Sequence, residues 1–282
     1  MSKHRSHKKA KITDAIASNL LLYILCIIWL IPVIWVIAAS FKQEAGVISP
    51  TFFPTEVTTN NYVNLIERTE FLGWVKNTFV IAVLNMILST FFTMITGYCF
   101  SRFRFKSRKP LMNITLILGM FPGFMAMIAV YIILNMLGLV GSIWSLLLVY
   151  VSGSGLGFFV CKGYFDTISK SIDEAAILDG ANQFVIFFKI FLPLASPILI
   201  YTALTAFMAP WTDYILAGLV LKDPSTYTVA VGLYNMTLES TITTKFTMFA
   251  AGSVLIAVPI VILYISLQKF MVEGISSGAV KG

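Results

Sequence analysis

Six long hydrophobic runs, at about residues 20–39, 75–100, 111–136, 142–161, 197–221 and 246–267, are separated by short polar stretches. Each run is long enough to cross a bilayer, because a helix of about 20 residues rising ~1.5 Å per residue covers a hydrocarbon core of ~30 Å. Lipid offers the backbone no alternative partner, so each run is expected to be helical. The pattern therefore predicts an all-α membrane protein with six transmembrane helices and both ends on one side. Several runs are interrupted: Gly119 and Pro122-Gly123 in the third, Ser152 to Gly157 in the fourth, Pro210 in the fifth and Pro259 in the sixth. Carbonyls freed at such breaks need neighbouring helices or water, which suggests a bundle with an internal cavity.

The polar stretches divide the chain into a basic leader (1–19), the six-helix domain (20–270) and a tail (271–282). No period of 20–50 residues repeats, so one membrane domain is expected. The connection at 41–74 carries Pro50, Pro54 and Asn60-Asn61-Tyr62 and is expected to hold a short surface helix near Tyr62–Ile66. Leu137–Gly141 reads as a tight turn, and 222–245 as a longer connection. The loop 162–196 contains Asp173-Glu174-Ala175-Ala176-Ile177-Leu178-Asp179-Gly180. Ser171 lies three residues before Glu174, a capping-box spacing; Ile172–Asp179 then suits about two helical turns, and Gly180 supplies a left-handed terminus. A second helix is expected from Asn182 to Phe191, stopping at Leu192-Pro193.

Composition agrees with the pattern. Hydrophobic residues make up 58% and charged ones 12% of the 282 residues, and mean hydropathy is +0.87, far from a soluble domain with about a quarter of its residues charged. The formal charge of +7 then concerns topology rather than nucleic acid. Fifteen Lys and Arg fall on the side of the leader, the 102–109 loop, the 162–196 loop and the tail, and five on the other. The positive-inside rule places the termini and the acidic loop in the cytoplasm. Ala38-Ala39-Ser40 has the composition of a signal-peptidase site, but the preceding run of about 20 residues exceeds the usual 7–15, so an uncleaved first span is expected. Cys26, Cys99 and Cys161 are too far apart for a metal cluster and read as packing or lipid-facing residues; His4 and His7 both lie in the leader.

Each candidate motif has a plain structural reading beside the functional one. A surface helix on lipid is usually rich in Lys and Arg, whereas Asp173, Glu174 and Asp179 would be repelled by anionic headgroups, which favours docking to a protein. Asp213 is the one acid inside an expected span, where a carboxylate is costly unless it meets water or a partner. With Trp211 it lines a translocation path, or else it makes a helix-interface hydrogen bond or ends the helix early; Asn85, Asn113 and Asn135 are equally open. Tyr227, Tyr234 and Asn235 belong to a partner-contacting loop or to a solvated connector. Gly119-Met120-Phe121-Pro122-Gly123 and the Gly153–Gly157 cluster read as close helix packing. The latter lacks the lysine and setting of a phosphate-binding loop.

The acidic loop resembles the "EAA" loop of the membrane subunits of binding-protein-dependent ABC importers. Further matches extend the resemblance nearly end to end, to the smaller permease subunit of carbohydrate importers of the maltose or maltodextrin type. They are Pro54 with Asn60-Asn61-Tyr62, Asn77-Thr78, Ser101-Arg102-Phe103-Arg104-Phe105, Met120-Phe121-Pro122, Lys162 to Thr167, Pro210-Trp211-Thr212-Asp213, and Gln268-Lys269-Phe270 through Gly278 to Gly282. Ser169-Lys170 departs from the family pattern, although a serine still starts a helix. The resemblance implies the type I importer permease fold and a coupling helix formed by Asp173, Glu174, Ala175, Ala176, Asp179 and Gly180. It also implies a second homologous permease, two ATPase subunits that bind the ATP and magnesium, and an external sugar-binding protein met by Tyr227, Tyr234 and Asn235. The chain itself is then a non-catalytic, multi-pass subunit of a bacterial inner membrane with no cofactor of its own. A galacto- or raffinose-type sugar is the alternative cargo. A secondary transporter would show pseudo-repeats and midplane ionisable groups, and an embedded enzyme a nucleophile–base pair or metal site.

Overall fold

The computed structural model describes residues 2–43 and 51–279; Pro50 and Val280 to Gly282, named above, lie outside the described residues. In chain order the helices are α1 (Ser2–Ser40), α2 (Asn60–Glu67), α3 (Phe71–Arg102), α4 (Arg108–Gly119), α5 (Gly123–Met136), α6 (Ile143–Ser154) and α7 (Phe158–Thr167), with a 3-10 turn at Gly155–Gly157 joining the last two. There follow α8 (Lys170–Leu178), α9 (Gln183–Val185), a π-helical stretch at Ile186–Phe191, α10 (Leu192–Leu194), α11 (Ser196–Thr212), α12 (Ile215–Val220), α13 (Val229–Asn235) and α14 (Ile242–Ala279). Among the described residues the β pairing is confined to an isolated bridge between Lys42 and Val57.

These elements form two compact units, one of Met1–Thr69 with Met236–Ala257 and one of Glu70–Asn235 with Val258–Gly282. In the first, α1 runs unbroken from the leader into the first span, so no helix boundary marks residue 19. Its lipid-length window, Ser18–Ser40, is exposed along most of its length and packs only near its end. There Ala39 joins Phe246 and Ala250 of α14 in a small core, and Trp35 meets Phe246 with ring centroids 5.3 Å apart. Helix α2 forms where the short surface helix is expected. Asn61 anchors it by donating from Nδ2 to the carbonyls of Ser40 (2.9 Å) and Lys42 (2.7 Å). These would otherwise be orphan acceptors at a helix end. Tyr62 adds a hydroxyl contact to Ser40 at 2.8 Å.

The second unit is built around α3, a 32-residue helix that packs on α6, α7, α11 and α13. Around its second half Met94 and Tyr98 share a core with Phe165, Ile186 and Phe191. Around its first half Ile81 packs with Leu134, Leu146, Leu216 and Val220. Gly97 allows α7 to come close: a Cβ there would lie 2.8 Å from the Cβ of Cys161.

Among the described residues four helical stretches are long and apolar enough to cross a membrane, one of them running from α6 through the 3-10 turn into α7, and the number reaches six if each of two bent pairs counts as one span. The third expected span is bent by 99° between α4 and α5 at Met120–Pro122. The fifth is displaced from expectation: α11 stops at Thr212, not near 221, and α9–α10 join it across an 85° bend. Proline explains both sites, since Pro122 lacks the N–H that would continue α4, and Pro193 and Pro197 interrupt the ladder around Ala195. Among the described residues nothing packs closely on either predicted glycine site, because Cβ atoms at Gly119, Gly123, Gly153, Gly155 and Gly157 would meet nothing within 4 Å.

Candidate coupling and translocation sites

At one end of the second unit the 102–109 and 162–189 segments meet around α8. The helix starts two residues earlier than the Ser171 capping box predicts. Ser169 is the N-cap, its Oγ accepting from the Ser171 N–H at 3.3 Å. At the other end Gly180 takes a φ of 83°, Ala181 N donates to Ala176 O (2.9 Å) and Gly180 N to Ile177 O (3.0 Å). This pair of bonds is the Schellman closure. Asn182 then caps α9 through Oδ1, which accepts from Val185 N at 3.0 Å.

The six residues assigned to this helix separate by face. Glu174, Ala175, Asp179 and Gly180 are exposed, whereas Ala176 is buried in the core beside Tyr98 and Phe165. Asp173 also turns inward. Its Oδ2 lies 2.9 Å from Arg102 Nε, with the two side chains only 16% and 6% exposed. Arg102 also donates from a terminal nitrogen to Ile168 O (2.8 Å) and lies over the Phe191 ring at 4.6 Å. Alongside, Tyr98 donates to Gln183 Oε1 (2.9 Å) and Ser101 to Asp166 Oδ1 (2.6 Å). The end of α3 is thus bolted to α8 and to the helix that follows. Burial pushes the Asp173 carboxyl up from its ordinary range, and Glu174 adds to that, while Arg102 and Lys170 pull the other way. Arg102 was visible in the sequence only as one basic residue of the 102–109 loop and as a member of the resemblance, and its partnership with Asp173 spans too many residues to be read from spacing. The outer face holds an apolar element that charge reading missed, with Leu178 88%, Phe184 72% and Ile177 51% exposed.

Within the spans, α3, α6 and α11 surround a cavity of about 370 Å³. From α3 come Asn85, Ser89 and Thr93; from α6, Tyr150 and Ser154; from α11, Tyr201, Thr202 and Thr205. Of the three path residues expected from sequence, Asn85 alone lines it. Its Nδ2 donates to Ala206 O at 2.7 Å, the carbonyl left without a helical donor by Pro210. Asp213 takes both structural alternatives: α11 stops before it, with Oδ1 accepting from Leu216 N (3.0 Å), and Oδ2 accepts across the helix interface from the Tyr150 hydroxyl of α6 (2.7 Å). Trp211 packs against Phe207, ring centroids 6.0 Å apart, outside the cavity lining.

At the opposite end the 222–235 connection is folded onto the start of α3. Trp74 Nε1 donates to Pro224 O (2.9 Å), Asn77 Nδ2 to Ser225 O (3.0 Å) and Tyr227 O (3.1 Å), and Thr78 Oγ1 accepts from Val229 N (2.8 Å). A Cβ on Gly232 would fall 2.2 Å from the Trp74 ring, so only glycine fits. Tyr227, Tyr234 and Asn235 line a pocket of about 570 Å³ with Tyr214 and Lys222, and Tyr214 stacks on Tyr234 at 4.5 Å.

The chain's relatives agree with this architecture. A model of binding-protein-dependent transport system inner membrane components matches residues 89–276. The maltodextrin permease MalD of Streptococcus pneumoniae is 37% identical, with 97% of this chain and 98% of that protein covered. The galactooligosaccharide permease GanQ of Bacillus subtilis is 36% identical, covering 94% and 95%. Among solved structures, a bacterial ABC transporter that imports the acidic polysaccharide alginate superposes with a TM-score of 0.79 at 24% identity, over 91% of this chain and 96% of that one. With two thirds of its length in the family match and full-length relatives above 30% identity, this chain belongs to the inner membrane permease components of binding-protein-dependent ABC transport systems.

Proposed function

We propose that this chain is one permease subunit of an ATP-driven importer of an oligosaccharide of maltodextrin or galactooligosaccharide type. Support for the cargo comes from the sequence relatives named above. Support for the coupling role comes from one observation, the capped α8 that exposes Glu174, Leu178 and Gly180 while Arg102 and Asp173 hold its inner face against α3. A helix closed at both ends and braced in this way moves as a body, and a packed two-state interface transmits such motion without damping it. Two cytoplasmic ATPase subunits, which bind the ATP and magnesium, grip the exposed face. Their closure displaces α8 and, through Arg102, α3, opening a path between this chain and a second homologous permease to the outside, where a sugar-binding protein docks on the 222–235 platform. Both termini and α8 are cytoplasmic, in keeping with the excess of Lys and Arg on that side.

The test is uptake of labelled maltotriose and galactotriose by proteoliposomes holding the complete transporter. Wild-type complex accumulates at least one of them when ATP and binding protein are supplied. Glu174→Arg and Gly180→Trp are expected to abolish accumulation and weaken ATPase retention on affinity purification while membrane insertion is unchanged. Normal uptake by Gly180→Trp would remove the lever role of α8.

A further inference from the structure

The two apolar cores of the second unit lie one beyond the other along α3. The core around Met94 and Tyr98 takes Phe165 from α7, Ala176 from α8 and Ile198 from α11. The core around Ile81 takes Leu134 from α5, Leu146 from α6, Leu216 from α12 and Val231 from α13. Between them α3 presents Asn85, Ser89 and Thr93 to the cavity of about 370 Å³, which leaves a polar, hollow waist. Among the described residues three helical routes join core to core. Helix α3 passes unbroken. The α6–α7 route turns 3-10 at Gly155–Gly157, and the α11–α12 route breaks at Asp213-Tyr214, just past Pro210. A 3-10 stretch within a helix and a proline break are both places where a helix bends. Gly153 and Gly157 leave room for bending, since a Cβ on either would meet nothing within 4 Å.

The hydrogen bonds at the waist are of two kinds. Asn85, 2% exposed, donates to Ala206 O (2.7 Å), and Thr93 donates to Ser154 O (3.0 Å). Both satisfy carbonyls beside the breaks, and an unpaired carbonyl within a span is costly, so these bonds are structural. The bond from Tyr150 to Asp213 Oδ2 (2.7 Å) instead ties the two bending routes to each other. Tyr150 lines the cavity and Asp213 is partly exposed, so each can take water when the two separate. Breaking the bond then costs its small net worth and no burial penalty. Asp213 Oδ1 also holds Leu216 N (3.0 Å), so the carboxyl group carries movement of α6 into α12. We infer that the second unit flexes at this waist during transport and that Tyr150 and Asp213 are positioning residues that latch it, an assignment that rests on the importer reading above. The core that carries α8 tilts against the core that carries the 222–235 connection, with α3 as the continuous shaft and the packing inside each core unchanged.

Double electron–electron resonance on the complete transporter in nanodiscs reads the waist directly. In a chain with its native cysteines replaced, spin labels on Leu194→Cys, beside one core, and Met136→Cys, beside the other, take positions 47% and 80% exposed. The labelled parent is expected to show one main distance and a minor second one without nucleotide, the second becoming dominant with ATP, vanadate and binding protein. Tyr150→Phe keeps the ring and removes the hydroxyl. It should raise the second-distance fraction without nucleotide about fivefold, the effect of one ordinary net hydrogen bond, and raise ATP hydrolysis without binding protein by a similar factor. A bond that only stabilises the fold would, when lost, broaden the first distance and leave the second unpopulated, which would overturn the latch. So would a basal hydrolysis that does not rise. One unchanged distance across the whole cycle would overturn the waist itself. The proteoliposome uptake assay reads the importer role separately: uptake with a fixed distance refutes the waist alone, and absent uptake refutes the transport reading.

Discussion

Arg102 and Asp173 show how a residue acquires a role that its charge does not announce. The pair is nearly buried, with 6% and 16% side-chain exposure, and Arg102 alone also holds Ile168 O and the Phe191 ring. Burial has already shifted Asp173 toward its neutral form, so the two partners are unequal. Arg102→Ala is expected to strip hydrogen-exchange protection from Lys170–Ala181, whereas Asp173→Asn should leave most of it. The pH dependence has the opposite sign from an ordinary salt bridge. Because the folded-state pKa of Asp173 is raised above that of the unfolded chain, the folded state takes up the proton first as pH falls, and the burial penalty on the carboxylate is relieved. Protection of α8, corrected for intrinsic exchange, should therefore hold or rise from pH 7 toward the raised pKa; a steady loss on acidification would contradict this assignment. At Gly180, with φ at 83°, alanine should cost ~1–2 kcal/mol of local stability, measurable in the same exchange experiment.

Among the elements, the 222–235 connection departs furthest from a plain solvated loop. Asn77 alone holds two of its carbonyls, and an unpaired backbone group of this kind costs ~1–3 kcal/mol where water does not replace the donor. Asn77→Ala should speed limited proteolysis between Lys222 and Asn235, and Gly232→Val should do so more strongly, since its side chain collides with Trp74. Equal cleavage rates in wild type and both variants would show the connection to be loose. Glycine gave the least legible signal in the sequence. Small residues serve close packing, bends and open walls alike, and the neighbours decide which. Gly97 and Gly232 proved to be the tight contacts, whereas Gly153 and Gly157 line a cavity and Gly119 and Gly123 flank a 99° bend. The EAA helix, by contrast, was legible almost to its boundaries, because capping depends on residues within one turn of each terminus.

Within the second unit, side chains group the loops by end. Arg102 meets Asp173 and Ser101 meets Asp166 at one end, while Trp74 meets Pro224 and Gly141 N donates to Val220 O (2.8 Å) at the other. This grouping is the one that alternation of the second to fifth apolar runs requires. A membrane-impermeant thiol reagent, applied to a chain with its native cysteines replaced, should label Ser225→Cys from outside intact cells and Leu178→Cys only after permeabilisation. The reverse pattern would invert the topology. Local chemistry sufficed for the helical class, the number and rough limits of the apolar runs, the capped acidic helix and the family, because hydropathy, capping and turn preference act over one to six turns of chain. Folding decided which face of α8 looks outward, that Asp213 ends a helix while Asn85 repairs the break at Pro210, and that hydroxyls from three distant spans share one cavity. Those outcomes depend on groups that lie between about 60 and 120 residues apart, and only packing in three dimensions brings such groups within the ~3 Å reach of a hydrogen bond.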